Sequence, residues 1–176
     1  MHSVRVTRGS SASGGGEACA PGQGGKVLVY GASGSVGTYG VQLARHLGAE
    51  VTGACSTANL DLVRSLGAAQ VIDYTQEDLT RRGESYDVVF DAVGKLPASR
   101  GKAALNEGGA YLSVRSPTRE KPENLVYLRE LVEAREIRPV IDRCYPLEQI
   151  VAAHRYVEAG HKEGNVVISV GHDNKT

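Results

Sequence analysis

The sequence lacks net charge: twenty Lys and Arg residues stand against twenty Asp and Glu. A chain balanced in this way offers no basic face to nucleic acid or to an anionic membrane, which leaves a small molecule as the favoured partner. Cysteine is scarce as well. Cys19, Cys55 and Cys144 are odd in number, far apart and without a C-x-x-C pair, a pattern that argues against both a disulfide framework and a zinc ribbon. Buried or incidental thiols are expected. His154 and His161 stand seven apart, but Gly160 interrupts the helix that would align them, so they are read as surface histidines and no metal site is expected. No apolar run approaches the ~20 residues of a membrane span, and the N-terminus has no apolar core of a secretory signal. A cytoplasmic location is the resulting expectation. The chain also lacks a Tyr-x-x-x-Lys dyad, a set of zinc ligands and a nucleophile elbow, so no side chain is assigned a catalytic role.

At 176 residues the chain has the size of one ordinary domain, long enough to bury about two-thirds of its unfolded surface in one core. Residues 1–25 are rich in Gly and Ser, show almost no apolar periodicity and read as a disordered leader. A cloning remnant, a mis-called gene start and a linker all fit that composition. From residue 26 the pattern becomes regular, with strands expected at 26–30, 50–54, 70–73, 86–92 and 110–114, separated by helical or linking segments. Apolar strands alternating with helices predict an α/β fold, a three-layer Rossmann-type doubly wound parallel sheet. The phrases "HLGAEVTGAC" and "SLGAAQVIDY" repeat one device, in which Gly48 or Gly67 caps a helix and a strand begins at once. Thr75 and Asp78 have the spacing of a capping box, and Pro122 and Pro146 suit the first position of later helices.

In "KVLVYGASGSVGTYGVQLARHLGAEV" a short β-prone run gives way to apolar residues at helical spacing, and Gly31, Gly34 and Gly37 lie between the two. Such glycines permit a sharp turn, a close approach of backbone to a ligand, and tight packing of helix on sheet. A helix opening there turns free N–H groups and its positive end toward an anion, and a pyrophosphate fits. The spacing G-x-x-G-x-x-G departs from the usual G-x-G-x-x-G, so the glycines alone also fit a methyltransferase or a tight turn with no ligand. Their place between strand and helix favours a dinucleotide. About 20 residues further on, where an NAD site sets Asp or Glu on the ribose 2'-hydroxyl, stand Ala54, Cys55, Ser56 and Thr57. No carboxylate there repels a 2'-phosphate, and the hydroxyls of Ser56 and Thr57 can donate to one, which favours NADPH over NADH. The same hydroxyls could instead cap the next helix.

The stretch 26–75, with "YDVVFDAVGK" after it and "PVIDRCYPLEQIVAAHRYVEAGHKEGNVVISV" near the C-terminus, resembles the cofactor domain and closing segment of the medium-chain zinc-type dehydrogenases and reductases. The resemblance is strongest to their zinc-independent quinone oxidoreductase branch. It implies an NAD(P)H-dependent oxidoreductase acting on a small carbonyl or quinone, without zinc. It places the pyrophosphate on Gly31, Ala32, Ser33, Gly34, Ser35, Val36 and Gly37, and the 2'-phosphate near Tyr74, beside Ser56 and Thr57. Asp91, Val93 and Gly94 match the family's contact with the inner ribose and nicotinamide side; Leu112 and Ser113 match the fifth strand's approach to the nicotinamide. A plain turn-forming role also fits Asp91. Relatives often carry a cation where this chain has Ala58 and Asn59, and Arg64 lies further along the helix, so the implied 2'-phosphate site is weakened.

Two departures from the family accompany these matches. Its members begin with a catalytic domain that walls the substrate, whereas only the leader precedes Lys26, so a truncated form keeping the cofactor domain is expected. A further helix and strand are also missing between Val114 and Thr118, which leaves the fifth strand near a sheet edge and open to association as a homo-oligomer. The expected organisation is a leader at 1–25, an NAD(P)-binding Rossmann domain at 26–136 and a C-terminal segment at 137–176 that resembles the family's return to the catalytic domain. Within that segment, 138–142 and 165–170 are expected to pair with each other or with the sheet edge. Since hydride comes from the cofactor and the protein supplies orientation, a nucleotide-binding module without turnover is the alternative reading.

Overall fold

The computed structural model describes residues 24–79, 83–117 and 121–171. In chain order it contains β1 (Lys26–Tyr30), α1 (Ser35–His46), β2 (Glu50–Cys55), α2 (Leu60–Ser65), β3 (Gln70–Asp73), β4 (Tyr86–Asp91), α3 (Ala98–Ala103) and β5 (Leu105–Ser113). These five strands pair in parallel in the order β3-β2-β1-β4-β5. The chain thus winds outward from β1 in one direction and then from β1's other side, which makes the sheet doubly wound. Ligands of open α/β sheets bind where that reversal occurs, outside the carboxyl ends of the strands. Here that place is the gap beyond β1 and β4.

The strands are apolar on both sides because both sides are covered. Val27 and Val29 of β1 share one core with Val41 of α1, Val51 of β2 and Val63 of α2. Leu28 points the other way, into a core with Ile72, Val89, Leu96 and Ala104, the last two flanking α3. Each fully buried side chain of this kind contributes about 1.5–3 kcal/mol. Gly48 and Gly67, both at positive φ, close α1 and α2 as their sequence positions predict.

Beyond the sheet, α4 (Pro122–Glu133) begins on Pro122 and packs Leu131, with Ile137, against Leu43 of α1. Then come β6 (Ile141–Pro146), α5 (Ile150–Glu158) and β7 (Asn165–Ser169), in which β6 and β7 form a separate parallel pair. The first of these strands lies further along than the expected 138–142, overlapping it at Ile141 and Asp142, and it pairs with β7 in a sheet of their own and not with the edge strands β3 and β5. Two strands alone are marginal, and Ile141, Leu147 and Val151 are exposed. The segment leading into the unit is tied to α1 by Gln42, whose side-chain amide donates to the Arg138 carbonyl at 3.0 Å and accepts the Arg138 N–H at 2.9 Å.

Four local expectations change. β5 starts at Leu105 and not at residue 110: Leu105 pairs with Tyr86 and Ala110 with Val88, and the polar, glycine-bearing residues 106–109 bulge between them. Thr75 caps no helix, because its hydroxyl donates to the Asp73 carboxylate at 2.6 Å. Pro146 ends β6 and precedes a short 3-10 turn at Leu147–Gln149, so it stands one residue before the first helical position. Of the expected leader, residues 1–23, Cys19 among them, lie outside the described residues; Gly24 and Gly25 pair by backbone hydrogen bonds with Gly48 and Glu50.

Candidate functional site

At the end of β1 the chain turns at once, and the N–H groups of Gly31 and Ala32 both donate to the Ala54 carbonyl, at 2.9 and 3.0 Å. Gly31 has φ +78°, and a Cβ there would meet Val93 Cγ1 at 2.6 Å, so the loop after β4 rests directly on the turn. At Gly37 a Cβ would lie 2.0 Å from the Gly31 carbonyl oxygen and 2.8 Å from Ala32 Cα, which means that α1 starts backbone against backbone. Gly34 differs from both. Its φ of −79° suits any residue, and the nearest atom to an added Cβ is the Gly31 oxygen, 3.5 Å away. Ala32 and Val36 pack into the core and Ser33 is buried, so the turn presents mainly backbone outward.

Gly34 is the N-cap of α1, with no side-chain capping bond and no acidic residue in the first turn. The helix start therefore has N–H donors without a side-chain acceptor, at its positive end. An anion suits this place. Asn59 braces it from the side, its buried amide donating to Ser33 Oγ at 2.9 Å. Asn59 thus serves as a support for the glycine turn.

The corner beyond β2 and β3 contains a carboxylate after all, from β3 and not from β2. Thr57 donates its hydroxyl to Asp73 at 2.5 Å, and Thr75 gives the same carboxylate its N–H at 2.9 Å as well as its hydroxyl. These bonds, the one from Thr57 foremost, hold the Asp73 carboxyl below the usual carboxylate range. Ser56 makes no capping bond with its side chain. Tyr74 is 41% exposed and its ring lies 5.4 Å from that of Tyr30, centroid to centroid.

On the other side of β1, the buried Asp91 carboxylate accepts the N–H groups of Val93 at 3.2 Å, Gly94 at 2.8 Å and Leu96 at 3.2 Å, and the Tyr111 hydroxyl at 3.3 Å. It shapes the loop that carries Val93 over Gly31. Leu112 and Ser113 are aligned by the sheet with Phe90 and Asp91, at the same carboxyl end. Burial pushes the Tyr111 phenol up.

Sequence reasoning had no signal for one further neighbour. Gly164 donates its N–H to the Ser33 carbonyl at 2.8 Å, Ser35 Oγ donates to the Gly164 carbonyl at 2.9 Å, and Lys162 Nζ reaches Ser35 Oγ at 2.5 Å. Among the described residues no group of three or more His, Cys, Asp or Glu could hold a metal ion, and His154 and His161 are exposed. No helix among them is long and apolar enough to cross a membrane.

The strand order and the glycine turn at its reversal define a Rossmann-type α/β protein. The chain belongs to the zinc-binding dehydrogenase family, whose models match residues 35–140 and 115–168. Over 155 residues it is 33% identical to the chloroplastic NADPH-dependent alkenal/one oxidoreductase of Arabidopsis thaliana, a match that takes in 81% of this chain and 40% of the relative. It is 34% identical to the 2-methylene-furan-3-one reductase of Solanum lycopersicum, again over 81% of this chain, with 39% of that protein covered. Among solved structures, the quinone oxidoreductase from Coxiella burnetii matches with a TM-score of 0.71 and 26% identity, covering 85% of this chain and 54% of that one. The chain therefore spans about half, or less, of the length of these relatives.

Proposed function

We propose that this chain binds NADPH on residues 31–37 and is the cofactor-binding part of an oxidoreductase that reduces a small carbonyl or quinone. The observation that carries the reading is the start of α1 at Gly34, which no side chain caps and where an added Cβ would meet only the Gly31 oxygen, placed where the sheet reverses. The names of the relatives support the cofactor and the acceptor class. When bound, the nicotinamide supplies the hydride. The chain's own residues bind and orient: the turn holds the pyrophosphate, Ser56 and Tyr74 lie toward the 2'-phosphate, and Asp91 fixes Val93 and Gly94 on the nicotinamide side with Leu112 and Ser113 beside them. Preference over NADH is modest and rests on the relatives' names, since the Asp73 carboxylate engages Thr57 and counts against a 2'-phosphate, and the remaining hydroxyls carry no positive charge. Titration calorimetry tests this: NADPH binding at micromolar strength with NADH weaker is expected, and heat from S-adenosylmethionine but none from NADPH would overturn it. A cytoplasmic location belongs to the same proposal and is checked by fractionation.

A second reading is binding without turnover by this chain, and among the described residues one cleft is consistent with it in lying away from the glycine turn. A polar cleft of about 500 Å³, lined by Gln42, Arg45, His46, Ser65, Arg135 and Arg138, sits at the far end of α1. That is roughly 17 Å along the helix from Ser35, at 1.5 Å per residue. Hydride transfer needs an acceptor held about 3–3.5 Å from the nicotinamide. No saturable turnover is therefore expected with quinones, enones or alcohols, read as loss of NADPH absorbance. A saturable rate of even about 1 s⁻¹ would refute the separation of binding from chemistry.

A further inference from the structure

Lys162 lies between α5 and β7, in a segment seated on the glycine turn by the Gly164–Ser33 hydrogen bond and a parallel bridge between Gly34 and Gly164. The seat is fixed: Gly164 has φ +65°, and a Cβ there would lie 2.4 Å from the Val140 carbonyl oxygen. From it the half-buried Lys162 ammonium donates to Ser35 Oγ at 2.5 Å and to the Gly164 carbonyl at 2.8 Å. An ammonium has three donors, so one is left. Among the described residues no carboxylate touches it. Asp142, whose field reaches it, already accepts the Tyr156 hydroxyl, the Glu163 N–H and Arg143 Nε. Burial lowers the lysine's pKa, and Asp142 opposes the shift. A cation at the positive end of α1 is repelled by that end, and an anion placed between them relieves the strain on both.

We propose that Lys162 is the cation of the dinucleotide site, its free donor meeting the pyrophosphate cradled by residues 31–37. The proposal rests on reading that turn as the cofactor site. It puts the positive charge on the group that NADPH and NADH share, so the lysine strengthens both and selects neither.

The test compares the full chain with its Lys162→Met and Lys162→Arg variants in binding NADPH, NADH, ADP and adenosine by calorimetry, with adenosine followed by NMR. Lys162→Met is expected to weaken the three pyrophosphate ligands alike by about tenfold or more, as for loss of a charge-assisted bond. Adenosine binding stays at the parental level, and Lys162→Arg restores most of the loss. Parental affinity in Lys162→Met overturns the proposal and leaves the cofactor site standing. An equal loss for adenosine, or no rescue by arginine, assigns Lys162 to holding the segment and overturns it as well. A parent chain that binds none of the dinucleotides overturns the cofactor reading and this proposal with it.

Discussion

Gly34 and Gly37 stand in the same turn with opposite sensitivities, which two substitutions separate. Gly34→Asp adds a Cβ whose nearest neighbour is 3.5 Å away, at an N-cap with φ −79°. Asp is among the best N-cap residues and its charge suits the positive end of α1, so the free protein gains about 0.3–1 kcal/mol. For a chain of this size that is about 1–4 °C in melting temperature. The same carboxylate takes up the helix donors and faces the pyrophosphate. Like charges about 4 Å apart at an effective dielectric near 20 cost about 4 kcal/mol, which is roughly a thousandfold in Kd. Gly37→Ala acts the other way. Its Cβ would lie 2.0 Å from the Gly31 oxygen and 2.8 Å from Ala32 Cα, and since both are backbone, α1 must lift from the turn. Overpacking of that kind costs about 1–3 kcal/mol, or roughly 2–12 °C. Thermal melting of the free variants and NADPH calorimetry read both effects. A Gly34→Asp protein that binds NADPH as tightly as the parent refutes the site, and a Gly37→Ala protein that melts with the parent refutes the packing argument.

Tyr74→Phe removes one neutral donor and is expected to lower NADPH affinity about 2- to 12-fold with NADH unchanged; equal losses in calorimetry would count against a 2'-phosphate role. In a Cys19→Ser background one thiol, the exposed Cys144, should react quickly with an aromatic disulfide reagent at pH 8. Cys55, pushed up to about 11 by burial and by Asp73, stays silent until the chain unfolds, and two fast thiols would sink this. The native Asp73 pKa is depressed, so its contribution to stability is present above its unfolded value of about 3.9 and is lost as pH falls through the native one. A Thr57→Ala, Thr75→Ala double variant is therefore less stable than the parent at neutral pH, with the gap closing in acid. Unfolding curves from pH 7 to about pH 2 that keep a constant gap would show that the hydroxyls act without the carboxylate.

The parts of the fold legible in the sequence are those written in short-range pattern. β1 and β3 fall on their expected residues because each is an apolar run stopped by turn-forming residues, and the glycines that close α1 and α2 stand two and three residues before the next strands. β5 was legible only from residue 110, since Asn106 to Gly109 interrupt its pattern although the chain still pairs on either side. The three glycines of the turn could be read as a group, but their separate duties depend on what lies opposite each one. Side-chain engagement was out of reach. Thr57 has the hydroxyl that a phosphate would take, yet Asp73, sixteen residues away, takes it first. Lys162 meets Ser35 across 127 residues, a contact that periodicity does not report.

These contacts also explain how one short turn can be rigid with so little side chain of its own. Gly31 is pinned from above by Val93, which Asp91 holds; Ser33 is braced by Asn59 on one side and by the Gly164 N–H on the other; Ser35 is tied to Gly164 and Lys162. The donors at the start of α1 are thus positioned by three chain segments remote from it in sequence. Because Gly164 belongs to the β6-α5-β7 unit, whose own two strands are marginal, that unit and the turn order each other. On the proposed cofactor site, an anion bound at Gly34 would stabilise the C-terminal unit by the same free energy with which the docked unit tightens the anion's binding, since the coupling between two sites is reciprocal. On that reading cofactor affinity belongs to residues 26–171 as a whole and not to the βαβ unit that contains the glycines.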